Sequence, residues 1–367
     1  MNKTYIDLMN LLSNRLFNKE VDVEINDEIL KEASKQAVLS LIKNDDLLLA
    51  SNMKVTYGHS EIHKLLTSNN ISYTVLKGLA SSHYYKKPEL RTLGDVDFLV
   101  NKQDVDKVKK ILIDNGFIDE NAPCDHHMGF KHNGITYELH FCINGIPDGK
   151  SGEIVNKELT NIIEDSKLTK ISFVEVNIPS DYHNGIIFIL HIIKHFVSSG
   201  IGLRHLCDWA MFVDSFEDFP SVFEETFRQI GVWEFTKQLT ALCIKYLGLS
   251  KKDWVPEYDE AFLNEFIEDV LGNGNFGKKN TNAYTGAFTS DNGGNIIIAG
   301  IKTANKVAYN YFPFMKKFKI LLPLFWIYFI IRYIFRVLTG KRKMFTSKSL
   351  KQADYRSKII SKFKLFE

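Results

Sequence analysis

The sequence predicts an α+β protein: a small mixed sheet flanked by helices, with an N-terminal helical segment and a C-terminal helical domain. Two observations lead there. Residues 72–178 alternate short apolar strand patterns with helix-compatible runs, while the stretches on either side carry helical spacing. The chain has 367 residues and is 45% hydrophobic, enough for two domains or one elaborated core. The expected division is a helical segment at 1–68, a sheet-bearing core at 69–180, a helical domain at 181–311 with a long loop at 272–294, and an apolar helix with a basic tail at 312–367.

In the first segment, Ile29, Leu30, Ala33, Ala37, Val38, Leu41 and Ile42 recur at helical spacing within the run Asp27 to Leu49. His59 to Leu66 ends another helix and leads into the sheet, which this segment is expected to buttress. Ser72 to Gly78 is a β-rich run ending in Lys77-Gly78, and Leu79 to Tyr85 is compatible with a helix. A loop, Lys87 to Arg91, comes next. The strand Asp95-Val96-Asp97-Phe98-Leu99-Val100 places both carboxylates on one face, because residues two apart on a strand point the same way. Gln103 to Asn115 is amphipathic, and Gly116 stops it. Asn133-Gly134 marks a hairpin turn between Phe130-Lys131-His132 and the alternating run Ile135 to Cys142. That alternation puts Thr136, Glu138, His140 and Cys142 on one face. Ile171 to Ile178 reads as a final strand.

Two neighbouring anions repel unless a positive charge lies between them, and a divalent cation with oxygen ligands meets that need. With Glu138 on an adjacent strand, Asp95, Asp97 and Glu138 form a candidate two-metal site for phosphate chemistry. Gly78 at a strand-to-helix turn lets backbone approach a phosphate. Lys77 and Arg91 offer counter-charge, and a guanidinium matches phosphate geometry better than an ammonium does. A plain solvated strand end is the alternative for Lys77, and a hydrogen-bonded structural role the alternative for His140.

These residues resemble the nucleotidyltransferase superfamily that includes DNA polymerase β and aminoglycoside nucleotidyltransferases. More closely, they resemble the bacterial uncharacterised nucleotidyltransferase family proteins. The matching islands are Lys77-Gly78, Tyr84 to Pro88, Arg91 with Asp95-Val96-Asp97, and Glu138-Leu139-His140. His191 with His195, and Arg204-His205-Leu206-Cys207-Asp208, continue the likeness, which runs as ordered islands over residues 70 to 335. The superfamily's Gly-Ser turn is Lys77-Gly78-Leu79 here, leaving Ser81 or Ser82 as stand-ins for the phosphate-binding hydroxyl. The resemblance implies Mg²⁺ or Mn²⁺ at Asp95, Asp97 and Glu138, and nucleotide contacts from Lys77, Gly78, Ser81, Arg91 and His140. It implies NMP transfer from an NTP to a hydroxyl acceptor, small-molecule or glycan-related, with pyrophosphate release. A non-catalytic membrane-surface protein retaining the same fold is the alternative.

Histidine and cysteine offer a rival, a zinc site from Cys124-Asp125-His126-His127 with His140 and Cys142. The spacing fits no finger or ribbon, and four cysteines without a Cys-x-x-Cys argue against it. Sparse thiols and the lack of a secretory signal point to the cytoplasm. From Asp181 to about Val270 the pattern is helical. His191, Lys194 and His195 share one helix face, as do Arg204 and Asp208. They either line the nucleotide or acceptor pocket or form a buried hydrogen-bond network. The run Gly272 to Gly294 is rich in Gly and Asn and reads as a long loop.

From Lys316 onward there are 14 Lys plus Arg against 2 Asp plus Glu, net +12, leaving the preceding residues at net −10. Within that tail Ile320 to Leu338 is almost wholly apolar, broken by Arg332 and Arg336. It is borderline for spanning a bilayer, and two arginines in the bilayer are costly. A helix lying in the interface of an anionic membrane, through residues 316–364 at the inner face, is the favoured partner surface, with a core helix as the alternative. Nucleic acid is not favoured, because the aromatics are not interleaved with the basic residues.

Overall fold

Five strands form the main sheet: β1 (Tyr73–Val75), β2 (Asp95–Val100), β3 (Ile118–Asp119), β4 (His127–His132) and β5 (Ile135–His140), in the order β1-β2-β5-β4-β3. β2 and β5 run parallel, and every other pairing is antiparallel, so the sheet is mixed. The β4–β5 turn places Asn133 and Gly134 at φ 51° and 70°, the left-handed pair that suits a tight hairpin. The parallel register sets Asp97 opposite Glu138 and Asp95 opposite Thr136. This computed structural model describes residues 1–120, 126–273, 301, 304–305, 308–309, 312–339 and 360–366.

The final predicted strand is instead a hairpin, β6 (Lys167–Ile171) with β7 (Val174–Ile178), turning at Ser172, where φ is 55°. The two apolar runs merge in sequence because the turn, Ser172-Phe173, carries no glycine.

The helices are α1 (Lys3–Phe17), α2 (Asp27–Lys35), α3 (Leu39–Ile42), α4 (Asp46–Ser68), α5 (Gly78–Ser82), α6 (Val105–Asp114) and α7 (Lys150–Glu158). After the β6–β7 hairpin come α8 (Asp181–Ser198), α9 (Leu203–Asp214), α10 (Phe219–Gln229), α11 (Trp233–Leu247), α12 (Glu260–Asn273) and α13 (Leu322–Leu338). The helical spacing from Asp27 to Leu49 is broken at Ala37, whose φ of 53° lets Val38 N–H bond back to Ala33 O at 2.9 Å. Asp45 then caps α4 through Leu47 and Leu48 N–H.

Two main apolar clusters result. One joins Val55, Ile62 and Leu66 of α4, and Val108 and Leu112 of α6, to Val96, Phe98, Tyr137 and Leu139 of the sheet. The other joins α1 and α2, through Leu8, Leu12 and Ile29, to α8–α12. The N-terminal segment is therefore split. α4 backs the sheet, whereas α1–α3 complete the helical core. Two tyrosines that follow α5 join the helical cluster: Tyr84 Oη donates to Asp181 Oδ1 and Tyr85 Oη to Asp208 Oδ1, each at 2.8 Å. Helix α12 continues through Asn273, so the expected loop begins later than Gly272, and 274–294 lies outside the described residues. A third, small cluster holds Ala308, Met315, Leu322 and Phe325 beside α13.

Candidate active site

Alternation along β2 and β5 builds the site. Val96, Phe98, Tyr137 and Leu139 fill the core side, so Asp95, Asp97, Glu138 and His140 leave the other face. Ligand oxygens of Asp95, Asp97 and Glu138 lie within 4.8 Å of one another. They open into a cavity of about 290 Å³ lined also by Lys77, Gly78, Arg91, His126, His127, Asn144, His191, Lys194, His195, Arg204 and His205. That volume is near the lower edge for small-molecule sites, roughly 300 Å³.

Asp97 is the anchored carboxylate. Lys77 Nζ reaches its Oδ1 at 3.2 Å and His140 Nε2 reaches the same oxygen at 2.7 Å. Burial alone would raise its pKa, but Lys77 and His140 outweigh that and hold it well below the usual carboxylate range. Asp95 goes the other way. Burial, then the anions of Asp97 and Glu138, push it up to about 6. Three carboxylates converging within 4.8 Å, one of them raised by burial and then by its like-charged neighbours, make a place where a cation would lower the free energy, so the donor set fits a hard divalent metal. His140 is buried, which lowers its pKa, yet hydrogen bonding to Asp97 and Glu138 brings the net shift upward.

Lys77 adopts φ 51° and ψ −129°, a backbone region suited to glycine. Lys77 follows β1 by two residues, and this conformation starts the turn into α5. That helix spans five residues, too short for a large dipole. A side chain at Gly78 would meet Leu93, Asp95 O and Arg91 only at ordinary contact distances.

The predicted site residues divide. Lys77, Gly78, Arg91, Asp95, Asp97 and Glu138 share the cavity wall, while His140 and Ser81 are buried and outside its lining. Arg91 is engaged elsewhere: its Nε and Nη2 donate to Asp208 at 3.1 and 2.7 Å. The helical polar residues fall in two places. His191, Lys194, His195 and Arg204 line the cavity, whereas Asp208 belongs to the network with Arg91 and Tyr85. Sequence reasoning missed Asn144, whose Nδ2 lies 2.6 Å from His126 Nε2, because no motif surrounds it.

The zinc grouping is only partly assembled. His127, Glu138 and His140 offer ligand atoms within 4.8 Å, but Cys124 and Asp125 lie outside the described residues and Cys142 is exposed. His140 Nε2, which contacts both Asp97 and Glu138, is occupied as a donor, and this weakens it as a ligand.

Residues 13–248 match the family described as uncharacterised nucleotidyltransferase, and the chain belongs to that family. The mixed five-strand sheet with helices on either side of it in sequence is the α+β arrangement expected. No functionally curated protein matches the chain. Among solved structures, an antigenic nucleotidyltransferase-like protein from Paracoccidioides brasiliensis is similar at 14% identity, covering 55% of this chain and 95% of that one, with a TM-score of 0.33.

Proposed function

We propose that the protein is a metal-dependent nucleotidyltransferase that moves NMP from an NTP to a hydroxyl acceptor, a small molecule or glycan-related, releasing pyrophosphate. The observation that carries this reading is the convergence of Asp95, Asp97 and Glu138 from two parallel strands into one cavity beside Lys77. Mg²⁺ or Mn²⁺ held by these carboxylates would supply Lewis-acid stabilisation of the phosphate oxygens. The chain's own groups do the rest. Lys77 and His140 fix Asp97 in its ionised form. Backbone at Gly78 approaches the phosphates. Glu138, half-buried, accepts the acceptor's hydroxyl proton as its oxygen bonds to the α-phosphorus. The α–β bridging bond then breaks, and its electron pair leaves with pyrophosphate. Arg91 acts through structure, holding the loop before β2 against α9. The test is pyrophosphate release from each NTP with Mg²⁺ and a panel of hydroxylated acceptors. Release that is lost in Glu138→Gln supports the assignment, and no release with any acceptor contradicts it.

A second reading, a membrane-surface protein that keeps the fold without catalysis, is favoured by α13. Leu324, Ile327, Ile330, Ile331, Phe335 and Leu338 are all more than half exposed on that helix. No helix among the described residues is long and apolar enough to cross a membrane. An interfacial helix in a tail of net +12 suits an anionic lipid surface. Flotation with phosphatidylglycerol vesicles, weakened by Ile327→Glu with Ile331→Glu and absent on phosphatidylcholine, supports attachment. Flotation without pyrophosphate release for any acceptor favours this reading over the transferase.

A further inference from the structure

The helical side of the cavity carries a cluster that the acidic site does not use. His191 and His195 stand one turn apart on α8, and His205 lies in the first turn of α9. Their ring centroids are 4.4 Å (191–195), 5.4 Å (195–205) and 6.1 Å (191–205) apart. All three line the cavity, together with Lys194 and Arg204. Three imidazoles this close suggest either a transition-metal ligand set or an anion cradle.

Two observations decide between them. First, Gly202 N–H donates to His205 Nδ1 at 3.2 Å. An accepting Nδ1 leaves the proton of a neutral imidazole on Nε2, so His205 offers a donor where a metal needs a lone pair. Among the described residues no carboxylate orients any of the three rings, as the outer-shell partners of a metal site usually do. Second, Lys194 and Arg204 are chain neighbours of His195 and His205 and open into the same space. Two cations repel a third and attract an anion. Burial and then neighbouring charges lower the pKa of all three histidines, His195 to about 4, so each is a neutral N–H donor near neutral pH.

We propose that His191, His195 and His205, with Lys194 and Arg204, form a polyphosphate subsite. It holds the β- and γ-phosphates of the nucleotide while the acidic trio addresses the α-phosphate. This assignment rests on the transferase reading of the acidic site. When the α–β bridging P–O bond breaks, its electron pair goes to the β-phosphate oxygen. Negative charge therefore grows on the departing pyrophosphate, where fixed N–H donors stabilise it more than they stabilise the bound substrate.

The probe is inorganic tripolyphosphate, titrated calorimetrically into the full chain in EDTA. Wild type is expected to bind it. His195→Gln with Lys194→Met, whose fold is checked by its melting temperature, is expected to bind at least tenfold more weakly. Asp95→Asn with Asp97→Asn is expected to retain or tighten binding, because two anions leave the cavity. Unchanged affinity in the His195/Lys194 variant overturns the subsite. So does stoichiometric Co²⁺ binding with visible absorption bands that vanish in that variant. The two readings fail separately. If NTP binding in Mg²⁺ is intact in the His195/Lys194 variant but lost in the Asp95/Asp97 variant, the subsite falls and the transferase stands. If tripolyphosphate binds through the histidine wall but Mg²⁺ never strengthens NTP binding, the transferase falls and the anion site stands.

Discussion

Arg91 and Asp208, 117 positions apart in sequence, are joined by two hydrogen bonds of 3.1 and 2.7 Å in the buried seam between the sheet-bearing core and the helical domain. Tyr85 Oη adds a third bond to the same carboxylate. The pair fixes the loop that delivers Asp95 and Asp97. Removing one partner leaves an uncompensated buried charge, which costs about 3–5 kcal/mol. Arg91→Met and Asp208→Leu should each lower the melting temperature strongly, and the double substitution should cost less than the sum. Additive losses in a double-mutant cycle would show that the two do not act as a pair.

The backbone at Lys77 makes a separable prediction. Lys77→Gly and Lys77→Ala both remove the ammonium beside Asp97, but only glycine adopts φ 51° and ψ −129° without strain. The glycine variant should be the more stable by about 1 kcal/mol. Denaturant unfolding of the two measures this directly, and equal midpoints would mean that the turn is not strained.

His59 is fully buried, and neither ring nitrogen has a hydrogen-bond partner among the described residues. Burial lowers its pKa from 6.5 to about 3. The unfolded chain therefore takes up a proton below pH 6.5 that the folded chain refuses until about pH 3. The resulting stability is complete above pH 6.5 and is lost as pH falls toward 3. His59→Leu should stabilise the protein at pH 7 by about 1–2 kcal/mol and flatten the acid slope by up to about 1.4 kcal/mol per pH unit. His126 and His195, each lowered to about 4, leave a residual slope. Urea midpoints from pH 4 to 7.5 test both effects.

Gly185 on α8 has no room for a side chain. A methyl there would overlap the Phe223 ring and crowd Phe212. Alanine is the better helix former by about 1 kcal/mol, but overpacking costs about 1–3 kcal/mol and should win. Gly185→Ala should lower the melting temperature, and a rise would mean that α10 shifts freely.

Local chemistry explains which parts were legible in the sequence. Asp95, Asp97 and Glu138 are placed by a period of two, and Asn133-Gly134 announces its turn by residue type, so strands and faces follow directly. The break at Ala37 and the turn at Ser172 use positive φ at residues that carry no such signal. The role of Arg91 depends on a partner far along the chain, which periodicity cannot supply. The helical spacing of His191 and His195 gives a shared face but not what that face meets. The cavity emerges only once α8 and α9 dock beside β2 and β5.

The central claim is that Asp95 and Asp97 hold a metal through which nucleotide binds. The most direct measurement is NTP affinity with and without Mg²⁺ in wild type and in Asp95→Asn with Asp97→Asn, each checked for folding. Wild type should bind at least one NTP more tightly when Mg²⁺ is added, and the variant should lose that gain. A folded variant that keeps the full Mg²⁺-dependent gain would contradict the account.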